Sequence, residues 1–123
     1  MSWRIYIFLF VLGLAVALGI ASLQETPGYL DSDYYFVGGL QLVEGKGFAE
    51  PFLWNYLDNP VGLPHPSHTY WLPLSSILAA ISMFVSGQHT YEGARLIFIL
   101  LAAFIPPLTA RLAWDVTNNR ALA

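Results

Sequence analysis

The 123-residue chain has no cysteine. Disulfides, thiolate metal sites and thiol nucleophiles are thereby excluded, and no redox compartment can be read. Charge is scarce as well. Only 11% of the residues are charged, while 56% are hydrophobic and mean hydropathy is +0.55. Soluble domains carry roughly 25% charged residues. So short a chain cannot bury that much apolar surface in one aqueous core, and lipid is the natural sink for the excess. Basic residues are the scarcest of all: Lys46 and four arginines, dispersed. No basic patch exists, so nucleic acid is not an expected partner. The apolar runs lack histidine, which disfavours axial haem or chlorophyll ligation within them.

What charge there is has a pattern. Residues 23–92 hold seven acidic residues against Lys46 alone, whereas Arg4, Arg95, Arg111 and Arg120 lie near the ends of apolar runs. Ile5–Leu23 carries no charge, and as a helix it would measure roughly 28 Å, near the thickness of a hydrocarbon core. Trp3 and Tyr6 suit an interface, and Arg4 favours a cytoplasmic N-terminus. A cleavable signal peptide is the rival reading. The run exceeds the usual h-region of about 7–15 residues, which favours an uncleaved anchor over residues 1–23.

Residues 24–70 form an acidic, aromatic, proline-punctuated stretch that is too apolar for a disordered linker. Pro27-Gly28 is expected to break the first helix. Asp31 or Ser32 can cap a short helix running to about Glu44, with Phe36, Leu40 and Val43 on one face and Gly45 and Gly47 as its stop. Phe52, Trp54, Tyr56, Tyr70 and Trp71 suggest a folded cap against a membrane surface. Within residues 71–86, Pro73 fits a first helical turn. Leu74, Ile77, Leu78, Ile81 and Val85 make an apolar stripe, with Ser75, Ser76 and Ser82 largely off it. The pattern predicts a short amphipathic helix lying in the interface, or alternatively a short span. Gly87–Gly93 is a break. Ala94–Trp114 is a second full-length run, expected to kink at Pro106-Pro107, with Arg111 snorkelling from its last turns and residues 115–123 as a tail.

The expected fold is therefore an all-α membrane protein. It has two, alternatively three, transmembrane helices and a long outer loop carrying juxtamembrane helices. The positive-inside count favours two. The expected location is the cytoplasmic (inner) membrane, with residues 24–70 outside.

Few residues are placed for chemistry. Asp31-Ser32-Asp33 sits just beyond the first run, at headgroup depth. A carboxylate there could act as general base on an acceptor hydroxyl or amine, and two together could hold a divalent cation. On spacing alone, helix capping is the commoner role. A shared cation requires Asp31 to stand outside the helix, because residues two apart do not share a helical face. His65-Pro66-Ser67-His68 could suggest a metal pair, but the intervening proline and the lack of a third ligand favour loop packing. His89 lies in a polar turn. Trp54 and Trp71 could stack on a sugar or anchor the loop at the interface.

The order of these features resembles the start of the polytopic GT-C glycosyltransferases, which include the protein O-mannosyltransferases and the lipid A aminoarabinose transferases. The resemblance is carried by Tyr29-Leu30-Asp31-Ser32-Asp33-Tyr34-Tyr35 after an N-terminal span, then by Leu40–Phe48. The segments Phe52–Leu57 and Leu63–Leu74 resemble bacterial members of that group. It covers nearly all of these residues but only the beginning of the family's length. It implies an essential acid in the first outer loop, interfacial juxtamembrane helices, and a next span that returns to the cytoplasm. By position Asp31 matches that acid, with Asp33 its neighbour as a second catalytic candidate. Tyr35, Trp54, His65, His68 and Trp71 become candidates for substrate binding. The implied function is transfer of a sugar from a polyprenyl-phosphate donor on the outer face of the membrane, with this chain as the N-terminal portion of such an enzyme. No cofactor beyond a divalent cation is suggested. Membrane lipids are expected partners. The alternative is a small non-catalytic subunit of a larger membrane complex, packed against other membrane subunits through small residues such as Gly13, Ala17, Ala102 and Ala103.

Overall fold

A computed structural model of the chain describes residues 2–28, 30–53 and 61–117. Among these the chain is mainly helical: α1 (Trp3–Ala21), α2 (Asp31–Val43), β1 (Ala49–Glu50), β2 (His65–Pro66), α3 (Leu74–Ser86) and α4 (Tyr91–Thr117). The helices α1 and α4 are each long and apolar enough to cross a bilayer. The chain divides into two compact units. One comprises α1 and the part of α4 from Phe98 onward; the other is Glu25–Ile97.

In the first unit, α1 is a nearly uninterrupted apolar helix with most of its large side chains exposed. It ends at Ala21, before Pro27-Gly28 is reached. The stop is made by Ser22, whose hydroxyl donates to the Gly19 carbonyl (2.7 Å). Helix α4 extends three residues beyond the apolar run at each end and continues through Pro106 and Pro107. Gly13 sits so close to α4 that a β-carbon there would lie 3.0 Å from the Ala103 carbonyl oxygen and 3.1 Å from Pro106 Cγ. Phe10 and Phe104 pack with ring centroids 4.8 Å apart. The buried Tyr6 hydroxyl lies near the Arg111 guanidinium without a well-aligned hydrogen bond. Advancing along α1 thus means retreating along α4, so the two helices run antiparallel. Arg4 and Arg111 belong to the same end of the pair.

The second unit is built around α2 and α3. Leu30, at φ 60°, holds the N-cap position of α2, and no side chain caps the helix. The expected cap by Asp31 or Ser32 is therefore not made. Asp31 is already the first helical residue, and both acids stand in the first turn, where the helix dipole favours negative charge. The C-terminus is a full Schellman turn. Gly45, at φ 76°, donates its N–H to the Leu42 carbonyl, and Lys46 N–H reaches the Gln41 carbonyl. The short antiparallel pairing of β1 with β2 (Ala49 opposite Pro66, Glu50 opposite His65) has no signal in the sequence pattern.

Helix α3 turns much of its apolar stripe outward and its serine-bearing side inward. Ser76 and Ser82 are buried with Ala79 and Met83, while Leu74, Ile81, Phe84 and Val85 are exposed. The side bearing Ser76 and Ser82 faces protein, where each buried hydroxyl finds a backbone or side-chain partner, as a buried polar group must. Ser82 Oγ donates to the Gly93 carbonyl (2.6 Å) and accepts from Ile97 N–H (3.2 Å), bridging the two groups that the first turns of α4 would otherwise join directly. Ala79, Met83 and Ala94 form the core, with Phe36, Leu40 and Val43 packed against it, so the expected face of α2 is the buried one. The approach of α2 to α3 depends on Gly38 and Gly39. A β-carbon at Gly39 would sit 2.8 Å from Ala79 Cβ, and one at Gly38 would sit 2.6 Å from Ser76 Oγ.

Candidate functional site

The polar centre of the second unit is His68. Its backbone lies in the left-handed region (φ 62°), which is uncommon for a residue with a side chain and persists only where the surroundings hold it. Three elements hold it here. From α2, the Tyr34 hydroxyl accepts the His68 N–H at 2.6 Å and lies 3.3 Å from Nδ1. From the β2 segment, Ser67 Oγ lies 2.9 Å from Nδ1, and Ser67 N–H donates to the Phe48 carbonyl (3.0 Å). From α3, Ser76 Oγ lies 3.0 Å from Nε2. The rings of Tyr34, Tyr35 and Phe48 surround the imidazole at centroid distances of 5.2, 6.4 and 5.5 Å.

Proton counting fixes the tautomer. The single proton of Ser76 goes to the Tyr35 carbonyl (3.0 Å). Ser76 must therefore accept from His68, so Nε2 carries the hydrogen and Nδ1 is left as an acceptor facing the Ser67 and Tyr34 hydroxyls. Burial holds the His68 pKa below its ordinary value of 6.5, so the ring is neutral at pH 7. Ser76 is wholly buried and its proton is committed to a carbonyl, which suits a structural clamp and not a nucleophile.

The other candidate residues are scattered. Tyr35 is half-buried and joins the His68 cluster through its carbonyl and its ring. His65, in β2, turns Nε2 to the Phe52 carbonyl at 3.2 Å, a loop-packing contact. Trp71 is exposed, as are Tyr70 and His89. Trp54 and Tyr56 lie outside the described residues. Asp31 is exposed and Asp33 half-buried. Lying two apart in one helix, they project about 200° from each other, so the condition for a shared cation, Asp31 outside the helix, is not met. No hydrogen bond or ion pair joins either acid to the His68 cluster among the described residues, nor is any group of three potential metal ligands found among them.

Two members of this centre, Tyr34 and Ser76, are not among the candidate residues read from the sequence. Tyr34 is 3% exposed and Ser76 fully buried. The signal that could have exposed them is the Gly38-Gly39 doublet inside a helix, which marks a site where another backbone comes close. Glu50 is also buried, in β1 opposite His65.

The chain matches no protein-family model, no curated protein and no solved structure.

Proposed function

We propose that this chain is the N-terminal part of a membrane glycosyltransferase that takes a sugar from a polyprenyl-phosphate donor, with Asp31 as general base. The observation that carries the reading is the position of Asp31: an exposed carboxylate in the first turn of the first helix after α1. Its unit also turns an uncharged apolar side of α3 outward. In this reading α1 and α4 cross the inner membrane, Arg4 and Arg111 share the cytoplasmic side, and Asp31 stands at headgroup depth outside. The antiparallel course of α1 and α4 fits two spans, because a crossing by α3 would make them parallel. As an α-helix α3 measures about 20 Å, short for a hydrocarbon core of about 30 Å.

The chemistry asked of Asp31 is simple. It accepts the proton of an acceptor hydroxyl or amine as that atom bonds to the anomeric carbon. The bond from that carbon to the phosphate oxygen breaks, and polyprenyl phosphate leaves. Asp33, half-buried on another side of α2, supports its neighbour and does not share the step.

The test is sugar transfer by membranes containing the protein as its gene encodes it, with a polyprenyl-phosphate sugar as donor. Asp31→Asn should lower transfer by about 10²–10⁴ at unchanged protein level, the usual loss when general-base assistance is removed. Asp33→Asn should be milder. Full transfer by Asp31→Asn removes the assignment. Orientation is read separately by impermeant maleimide on Thr69→Cys, expected accessible from outside, and on Val116→Cys, expected accessible only after lysis.

A further inference from the structure

We propose that the Tyr34–His68–Ser76 bridge is a proton-sensitive latch: neutral His68 fastens α2 to α3, and protonation of its ring loosens them. The inference does not depend on the glycosyltransferase reading, since it concerns how the second unit holds together.

The geometry makes the latch specific to one protonation state. Neutral His68 satisfies both ring nitrogens: Nε2–H donates to Ser76 Oγ, and the single lone pair of Nδ1 accepts from Ser67 Oγ, the nearer of the two hydroxyls before it. Ser76 passes the chain on to the Tyr35 carbonyl, so one imidazole ties α3 to the backbone of α2. A second proton goes to Nδ1. The Ser67 hydroxyl would then have to stop donating to it. Tyr34 Oη already accepts the His68 backbone N–H, and the charge would stand half-buried among three aromatic rings.

The groups facing the imidazole can be named element by element: Tyr34 and Tyr35 from α2, Ser76 from α3, Ser67 beside β2 and Phe48 before β1. None of these groups is a carboxylate or a basic side chain. Among the described residues no carboxylate or cation acts on the ring, and burial shifts its pKa downward. The sign follows. The unfolded or undocked chain takes up the proton near 6.5 and the latched chain only at lower pH. The latch is therefore at full strength above about pH 6.5 and weakens as pH falls toward the folded pKa. Because α2 carries Asp31 and Asp33 in its first turn, loosening the latch frees the segment that holds both acids.

The experiment is hydrogen exchange of the α2 amides in the intact chain in nanodiscs between pH 7.5 and 5, corrected for intrinsic exchange. The His68 ring is titrated by NMR on the same sample. Opening of α2 should rise by at most tenfold per pH unit, the limit for one proton, with a midpoint that tracks the His68 titration. His68→Asn tolerates the left-handed backbone and cannot take up the proton, so its opening should not vary with pH. His65→Gln and His89→Gln should keep the wild-type dependence. The proposal is overturned if wild-type opening is flat over the range, if it persists in His68→Asn, or if it follows another histidine. Should His68→Asn fail to fold, coincidence of the wild-type midpoint with the His68 titration decides, and a mismatch rejects the latch.

Discussion

The two compact units bring helices together by different means. In the first, α1 and α4 meet through small and apolar groups: Gly13 against Ala103 and Pro106, and Phe10 against Phe104. In the second, α2 and α3 also meet through glycine, but the contact is fastened by buried hydroxyls and one imidazole. Both units turn many large apolar side chains outward; the first buries alanines, and the second buries Met83 and Tyr34 beside its small residues. That distribution suits a lipid surrounding, where burying large apolar groups against protein gains nothing over leaving them in lipid, and close backbone approach and hydrogen bonds decide the packing. The difference lies in how much each contact tolerates. The apolar contact needs to give by a few tenths of an ångström to accept a methyl group, whereas the hydrogen-bonded one has closer neighbours and partners at fixed distances.

The largest expected effect tests that tolerance directly. Gly39→Ala brings a β-carbon within 2.8 Å of Ala79 Cβ and 3.0 Å of the Ser76 carbonyl, both on α3. Overpacking of this kind costs roughly 1–3 kcal/mol, only partly offset by the gain of about 1 kcal/mol in helix propensity. Gly13→Ala meets slightly longer contacts, and one of them is the edge of the Pro106 ring. There the same gain should about cancel the crowding. Thermal unfolding in micelles should thus show a clear loss for Gly39→Ala and almost none for Gly13→Ala. Equal losses would mean that the two contacts are equally rigid.

An effect of comparable size separates the two buried serines of α3. Ser76→Ala leaves His68 Nε2–H and the Tyr35 carbonyl without their shared partner, and an unsatisfied buried group costs about 1–3 kcal/mol. Ser82→Ala removes a hydroxyl that bridges the Gly93 carbonyl and the Ile97 N–H. Those two groups stand four residues apart in one helix and can bond each other directly, so the loss should stay below about 1 kcal/mol. The ratio of the two losses, measured by the same unfolding assay, is the readout. A larger loss in Ser82→Ala would contradict the direct closure.

The same contrast explains what the sequence made legible. Helices α1 and α4 announce themselves, because each rests on a run of about 20 mainly apolar residues, long enough to cross a bilayer as a helix. The Phe36, Leu40 and Val43 face of α2 and the glycine stop after it were equally readable, since helical periodicity and left-handed glycine act locally. The apolar stripe of α3 was legible as well, and its outward turn fits a helix lying in an interface; what no local pattern showed is that Ser76 and Ser82 find partners on other elements. The β1–β2 pairing and the Tyr34–His68–Ser76 cluster join residues far apart in the chain, and no local pattern encodes such distances. Of the candidate residues, Tyr35 and His68 come together; Asp31 lies one turn before Tyr35 on the same helix, but among the described residues no hydrogen bond or ion pair joins it or Asp33 to His68.

The smallest effect belongs at the C-terminus of α2, where two neighbours should behave oppositely. Glu44 and Lys46 form an exposed pair at 2.6 Å. Water screens such a pair and two flexible side chains lose freedom to make it, so Glu44→Ala should change the stability of the second unit by no more than about 0.5 kcal/mol. Between them Gly45 holds φ 76° and donates into the Schellman turn. Gly45→Ala places a β-carbon in the left-handed region, which costs roughly 1–2 kcal/mol even though open space surrounds the position. The short ion pair is thus expected to matter less than an uncharged backbone angle beside it. Unfolding of both variants at low and high salt checks this. A salt-dependent loss in Glu44→Ala that exceeds the loss in Gly45→Ala would show that charge, and not the turn, closes α2.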